Sequence, residues 1–279
     1  MRISLCNEVL APLELGDQCE LAARLGYDGL EIAPFTLAES PDRITADEAR
    51  EVRATVESNG LVVTGLHWLL VRPNGLSVTD PDAGVRRRTL DVVTRLIGLC
   101  AELGGKVLVH GSPKQRAVAP GETLDVATRR LRDFLAQAAE IAVRHGVVYC
   151  IEPLAPSETA VVNTLEEAAA LVREIDSPGL RTMIDCSAAA ATEALGVAEL
   201  IDRWLPTGLV AHVQANDPNR RAPGQGELRF GPIFDALARH GYDGTLAVEP
   251  FDYVPDGAGS AAWSIAYLRG VRDGLGLRR

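Results

Sequence analysis

The chain has 279 residues, 47% apolar, 24% charged and only 5% aromatic, with a formal charge of −10 at pH 7. That length carries one large domain or two small ones with a substantial core, and the ordinary apolar and charged fractions exclude a disordered or fibrous protein. The acidity, with no basic run longer than Arg86-Arg87-Arg88, argues against a nucleic-acid partner, and no window nears the ~18 uninterrupted apolar residues of a membrane span.

Eight short apolar, β-branched runs follow one another: Ile3–Cys6, Gly29–Ala33, Leu61–Leu66, Lys106–Val109, Val147–Ile151, Leu180–Ile184, Leu209–Val213 and Thr245–Val248. Each is too short for a helix and nearly continuous in apolarity, as strands buried on both faces of a parallel sheet are. Between them, Glu20-Ala22-Ala23-Leu25, Val92-Leu96-Leu99-Cys100-Leu103 and Leu131-Leu135-Ala138-Ile141 place apolar residues three or four apart, the spacing of an amphipathic helix. L-G-Y-D-G at 25–29, L-G-G at 103–105, H-G-V at 145–147 and H-G-Y-D-G at 240–244 read as helix stops followed at once by the next strand. The last nearly copies the first, as a recurring βα unit would. About 35 residues per unit and strict alternation predict a single-domain (β/α)8 TIM barrel over residues 1–279. A doubly wound sheet would need a G-x-G-x-x-G turn after its first strand, where this chain has Asn7-Glu8-Val9-Leu10.

Five cysteines (Cys6, Cys19, Cys100, Cys150 and Cys186) are scattered in apolar flanks without C-x-x-C spacing, which suits free buried thiols in a reducing compartment. The N-terminal M-R-I-S-L-C-N runs directly into strand-like sequence without a long apolar leader, so a soluble cytoplasmic protein is expected. Of the 28 basic residues only Lys106 and Lys114 are lysines, so an isolated arginine carries little weight as a ligand.

In a (β/α)8 barrel the chemistry gathers where strands meet the loops that follow. The polar residues at these ends are, in order, Asn7, Glu31, His67, His110, Glu152, Asp185, His212 and Glu249. Unpaired carboxylates at buried strand ends repel one another and are costly to desolvate, so something positive belongs among them. The sharpest group is Glu152 in I-E-P, Asp185 in I-D-C, His212 in A-H-V-Q and Glu249 in V-E-P. Three carboxylates and an imidazole from strands five to eight suit one octahedral divalent ion, Mn2+ first, with Mg2+, Co2+ or Zn2+ as alternatives. The two Glu-Pro pairs add a mechanism, in which Glu152 and Glu249 face each other across an α-hydroxy carbonyl, one removing a proton and the other returning it. A single strand-end carboxylate as often pairs with arginine or caps a helix, but four at one barrel mouth are not explained that way. His145 and His240 precede helix-ending glycines and read as helix C-terminal histidines. His67 and His110 read as pocket lining, and Trp68 as an apolar face for a sugar ring or a packed aromatic. The segments Arg72–Pro81 and Asp252–Gly259 are long and marked by Gly and Pro, as a lid or an ordinary solvated loop is.

Taken with A-H-V-Q-A-N-D-P-N-R-R-A-P-G-Q-G-E and the closing V-E-P, these strand ends resemble the xylose-isomerase-like barrel superfamily of sugar isomerases and epimerases. The D-tagatose/D-psicose 3-epimerases and hydroxypyruvate isomerase are the nearest groups. The resemblance spans nearly the whole chain and implies that Glu152, Asp185, His212 and Glu249 bind one divalent metal, Glu152 and Glu249 doubling as the acid/base pair. It implies a substrate contact at Glu158, in E-P-L-A-P-S-E, a small sugar or sugar-derived substrate, and a homodimer or homotetramer. The chain also departs from the epimerases. Their substrate-binding histidine, three residues after the aspartate ligand, is Ala188 here, and the arginine expected soon after the histidine ligand is displaced to Arg220 or Arg221. In hydroxypyruvate isomerase the glutamine two residues past the histidine faces the metal. Gln214 shares strand parity with His212 and replaces or supplements it.

Two other readings use the same barrel. An apurinic-site endonuclease needs more His and Asp ligands and a basic face. A non-catalytic sugar-binding relic is favoured by Ala188 and opposed by the retained carboxylates and Glu158, whose repulsion would serve nothing.

Overall fold

The computed structural model describes residues 1–11 and 13–277. Among them, eight strands close into a parallel barrel in sequence order: β1 (Arg2–Cys6), β2 (Gly29–Ile32), β3 (Val62–Leu66), β4 (Val107–His110), β5 (Val148–Ile151), β6 (Leu180–Asp185), β7 (Val210–Ala215) and β8 (Thr245–Val248). β1 pairs with both β2 and β8, as in Cys6 with Glu31 and Leu5 with Val248, which seals the ring. Each predicted run meets its strand to within two residues at either end.

Around the barrel lie α1 (Leu15–Leu25), α2 (Ala46–Ser58), α3 (Ala83–Glu102), α4 (Leu124–His145), α5 (Leu165–Ile175), α6 (Cys186–Thr192), α7 (Val197–Trp204), α8 (Phe230–Arg239) and α9 (Gly257–Gly274). The glycine stops fall as expected. Gly26 closes α1 at φ +95°, a conformation a side chain would strain, and its N–H donates to Ala22 O at 3.0 Å. At Thr45 and Thr164 the hydroxyl accepts from the backbone three residues on, while Glu48 and Glu167 reach back, which fixes where α2 and α5 begin. No described helix is long and apolar enough to cross a membrane, and all five cysteines are buried and unpaired.

Strand alternation creates two apolar layers. Most buried side chains fill the space between barrel and helices, while Val107, Val109, Cys150 and Met183 form a separate cluster on the inner face. This parity decides which strand-end residues enter the barrel mouth.

Neither anticipated lid is a free loop. The second half of Arg72–Pro81 is fastened down, with Val78 N donating to Gln115 O at 2.8 Å, Thr79 Oγ1 to Ala117 O at 2.6 Å and Ser77 N to Thr89 Oγ1 at 3.0 Å. Gly257 to Gly259 form the first turn of α9, because Asp256 caps it by accepting from Gly259 N at 2.6 Å.

Candidate active site

Glu152 follows β5, Asp185 ends β6 and Glu249 follows β8. One oxygen from each lies within 4.8 Å of the other two, although the residues are only 7%, 6% and 2% exposed. Burial, then the charge of Asp185, pushes the Glu152 carboxyl well above its ordinary range, and burial, then Glu152 and Asp185, does the same to Glu249. Asp185 is pushed up to about 6 by burial, against hydrogen bonds that favour its charged form. Those bonds come from Ala188 N, at 2.7 Å to Oδ1, and Asn216 Nδ2, at 2.7 Å to Oδ2. Asn216 also donates to Glu249 O at 3.1 Å and accepts from Ser187 N at 2.8 Å, so one amide ties β6, β7 and β8 together behind the carboxylates.

Glu152 is held from the other side. Arg116, in the short turn Pro113–Arg116 after β4, is fully buried and donates to Glu152 O at 2.7 Å and His110 O at 3.3 Å. Burial lowers its pKa to about 10, against the opposing charges of Glu152 and Glu158, so it remains a cation at neutral pH. Gly111 leaves the space the Glu152 carboxylate occupies, since a Cβ there would collide with Oε2. Arg116→Met is expected to destabilise the fold by about 2–5 kcal/mol, because Glu152 O loses the Arg116 donor, His110 O keeps only Glu152 N, and the buried carboxylates lose their cation. A shift of the urea midpoint measures it.

His212 is not in this carboxylate group. Its Nε2 lies 2.8 Å from Oε2 of Glu31, which is buried on β2. Burial raises the Glu31 pKa, but His212 and then His67 outweigh it, and the carboxyl titrates below its ordinary range. Two residues further along β7, Gln214 pairs in register with Asp185. Its Nε2 donates to Glu31 Oε1 at 3.0 Å, while its Oε1 is buried without a partner. A buried, unpartnered amide oxygen on the residue level with Asp185, together with the three crowded carboxylates, is a donor set that fits a divalent cation.

Beyond Glu249 stand His67 and Glu8. His67 Nε2 is 2.9 Å from Glu8 Oε2 and 3.8 Å from Glu249 Oε1, and its Nδ1 is 3.8 Å from Glu31 Oε1. Burial alone would lower the His67 pKa, but Glu8 and Glu31 raise it above the ordinary value.

Two of the expected pocket residues point elsewhere. Asn7 donates to Gln18 Oε1 at 3.0 Å and Thr36 Oγ1 at 2.8 Å and accepts from Ala33 N at 2.8 Å, which makes it a brace between the first two loops. Its neighbour Glu8 enters the mouth instead. His110 has the opposite parity to the inner-face Val109 and lies against Phe134 of α4 and Tyr149, with Nδ1 2.6 Å from the Tyr149 hydroxyl. Burial, then Arg116, pushes its pKa down to about 3, so it is a neutral packing residue.

The mouth itself is aromatic. Trp68 lies between Phe35 at 5.9 Å and Phe251 at 5.8 Å, and the Arg220 guanidinium sits 4.7 Å from the Phe251 ring centre. Arg220 also reaches Glu158 at 3.9 Å. Arg221 turns aside to Asp252 at 2.8 Å. Asp217 fixes this loop by accepting from the backbone of Gly224, Gly226 and Leu228. A cleft of about 170 Å³ runs from Glu152 and Asp185 past Ala188 to Glu158, Arg220 and Phe251.

Residues 19–271 match the family described as xylose isomerase-like TIM barrel. The chain belongs to that family. Among curated members it is 29% identical to D-psicose 3-epimerase of Ruminiclostridium cellulolyticum, over 83% of this chain and 76% of that one. It is 25% identical to 3-dehydro-D-guloside 4-epimerase of Escherichia coli, over 96% and 99%. The solved 3-keto-D-glucoside 4-epimerase of E. coli superposes with a TM-score of 0.83 at 25% identity, covering 97% of this chain and 99% of that one. These family members are epimerases, and the chain is an enzyme of the isomerase class.

Proposed function

We propose that this enzyme moves a proton at the carbon next to a carbonyl of a small sugar or sugar-derived substrate, with one divalent ion as cofactor and Mn2+ as the first choice. The observation that carries the reading is the buried group of Glu152, Asp185 and Glu249 beside the unpartnered Oε1 of Gln214. These four residues would hold the ion, with Gln214 in the place expected of His212. An ion bound there supplies a positive charge that polarises a substrate carbonyl and makes the adjacent C–H acidic.

Everything else falls to side chains. Glu152 and Glu249 approach from different strands, so one removes the proton and the other delivers one to the opposite face. Burial keeps water from competing for the carbanion and raises both carboxyls toward the range where they can give and take protons. Glu158 and Arg220 would orient hydroxyl groups in the cleft, while Trp68 and Phe251 cover an apolar sugar face. With Ala188 where the epimerases place a histidine, the cleft has room beside Asp185 for a substituted sugar. That favours an oxidised glycoside, as named for the E. coli relatives, over a free ketose.

The test is turnover of ketoses, hydroxy-keto acids and 3-keto glycosides in deuterium oxide with Mn2+. One deuterium incorporated at the carbon beside the carbonyl, with the 3-keto glycoside the best substrate, is expected. Binding without exchange across the panel would show a sugar-binding relic, and undiminished turnover after chelation would remove the ion from the mechanism.

A further inference from the structure

We infer that Cys6, Glu8, His67 and Glu249 form a second cation site beside the first, and that it takes a softer ion, Zn2+. One ligand atom from each of the four lies within 4.8 Å of the other three. The site is built by barrel closure, because β1 carries Cys6 into register with Glu31 and pairs along β8, which leads into Glu249, while His67 follows β3. Cys6 and His67 are fully buried, Glu249 is 2% exposed and Glu8 is 9% exposed.

Hydrogen bonding within the chain satisfies this cluster only in part. His67 Nε2 faces Glu8 Oε2 at 2.9 Å and Glu249 Oε1 at 3.8 Å, but the second oxygen of Glu8 is buried with no partner. One imidazole stands against two carboxylates and a thiol, whose Sγ donates to Glu31 Oε1 at 3.9 Å. A divalent cation would neutralise that concentration of acid in a dry interior and give the unpartnered oxygen a ligand.

The donors choose which one. Glu152, Asp185, Glu249 and Gln214 offer oxygen alone, the preference of Mn2+ or Mg2+. A thiolate, an imidazole and two carboxylates are a closed set of four that suits tetrahedral Zn2+. Glu249 is common to both groups, so an ion in the second would fix the orientation of a side chain that also serves the first. The inference concerns the side chains of this second group and does not depend on the proposed reaction.

The experiment loads metal-stripped protein with Zn2+ and Mn2+ together for elemental analysis, and separately with Co2+ for absorption spectroscopy. Two ions per chain, one of them zinc, are expected, with a near-ultraviolet sulfur-to-cobalt charge-transfer band in the Co2+ form. Cys6→Ser should lose that band and one equivalent of metal. Asp185→Asn, which touches only the first group, should keep the band and lose Mn2+. A wild-type chain that takes one ion, or binds Co2+ without the band, overturns the inference even if Cys6→Ser does not fold. Loss of the band in Asp185→Asn would put thiol and carboxylates on a single ion and overturn it too. If the first site alone is misread, Mn2+ fails to bind while the thiolate band remains.

Discussion

Glu249→Gln is expected to lower kcat by about 10²–10⁴-fold without loss of the fold, and Glu152→Gln to do the same. The substitution keeps the size of the side chain and one oxygen but removes the site that accepts a proton. Since each carboxyl is raised by burial and by its acidic neighbours, neutralising one relieves repulsion, and the metal-free variant should melt no lower than the parent. Two-base chemistry makes a sharper forecast than loss of rate. With one base gone, epimerisation stops, yet the surviving carboxylate can still exchange the proton on its own face. Deuterium wash-in should therefore persist for one epimer in Glu152→Gln and for the other in Glu249→Gln. Metal content measured on the same samples separates lost proton transfer from lost ligation. Undiminished turnover in either variant would discard the acid/base assignment.

Removing divalent ions with a chelator is expected to lower Tm markedly at about pH 8 and little at about pH 5, and the sign follows from linkage. Asp185 titrates at about 6 in the folded chain and near ~3.9 when unfolded. A raised carboxyl stabilises the fold below its unfolded pKa, and that contribution is lost as pH rises through the folded value. Glu152 and Glu249 are shifted in the same direction. The metal-free protein should thus weaken as the solution is made alkaline, which is where deprotonated ligands bind an ion best. Saturation at a hundredfold excess over Kd adds about 2.7 kcal/mol. Gln214→Ala should reduce Mn2+ affinity at least about tenfold, whereas His212→Ala, which reaches the site only through Glu31, should cost less. Equal Tm values with and without chelator at both pH values would count against a bound ion.

Much of the fold is legible because strand runs and glycine stops are local signals. The helix stop at Gly26 and the strand Thr245–Val248 fall where composition puts them. Glu152, Asp185 and Glu249 are legible as a set because each strand end is read independently and closure brings them together. The face a strand-end residue takes is not legible. Asn7 or Glu8, and His110 or its neighbour Val109, are decided by where each strand's alternation meets the barrel interior, and a shift of one residue reverses the answer. Gln214 and His212 share a face, so the choice between them is one of depth along β7, and the register shift after Thr182 sets Gln214 level with Asp185 where an unbroken ladder would put Val213. Arg116 escapes notice because arginine is common along the chain, and only its burial against two strand-end carbonyls sets it apart.

The closing pair of β1 with β8 has a consequence for biosynthesis. Glu249 belongs to both acidic groups, and it follows the last strand to leave the ribosome. A nascent chain can compact its early βα units but cannot assemble either complete ligand set until that strand has emerged and locked against the first. On the proposed reading, metal acquisition would be confined to the finished barrel, and an interrupted translation product ending before β8 would hold acidic strand ends with no ion to offset their charge.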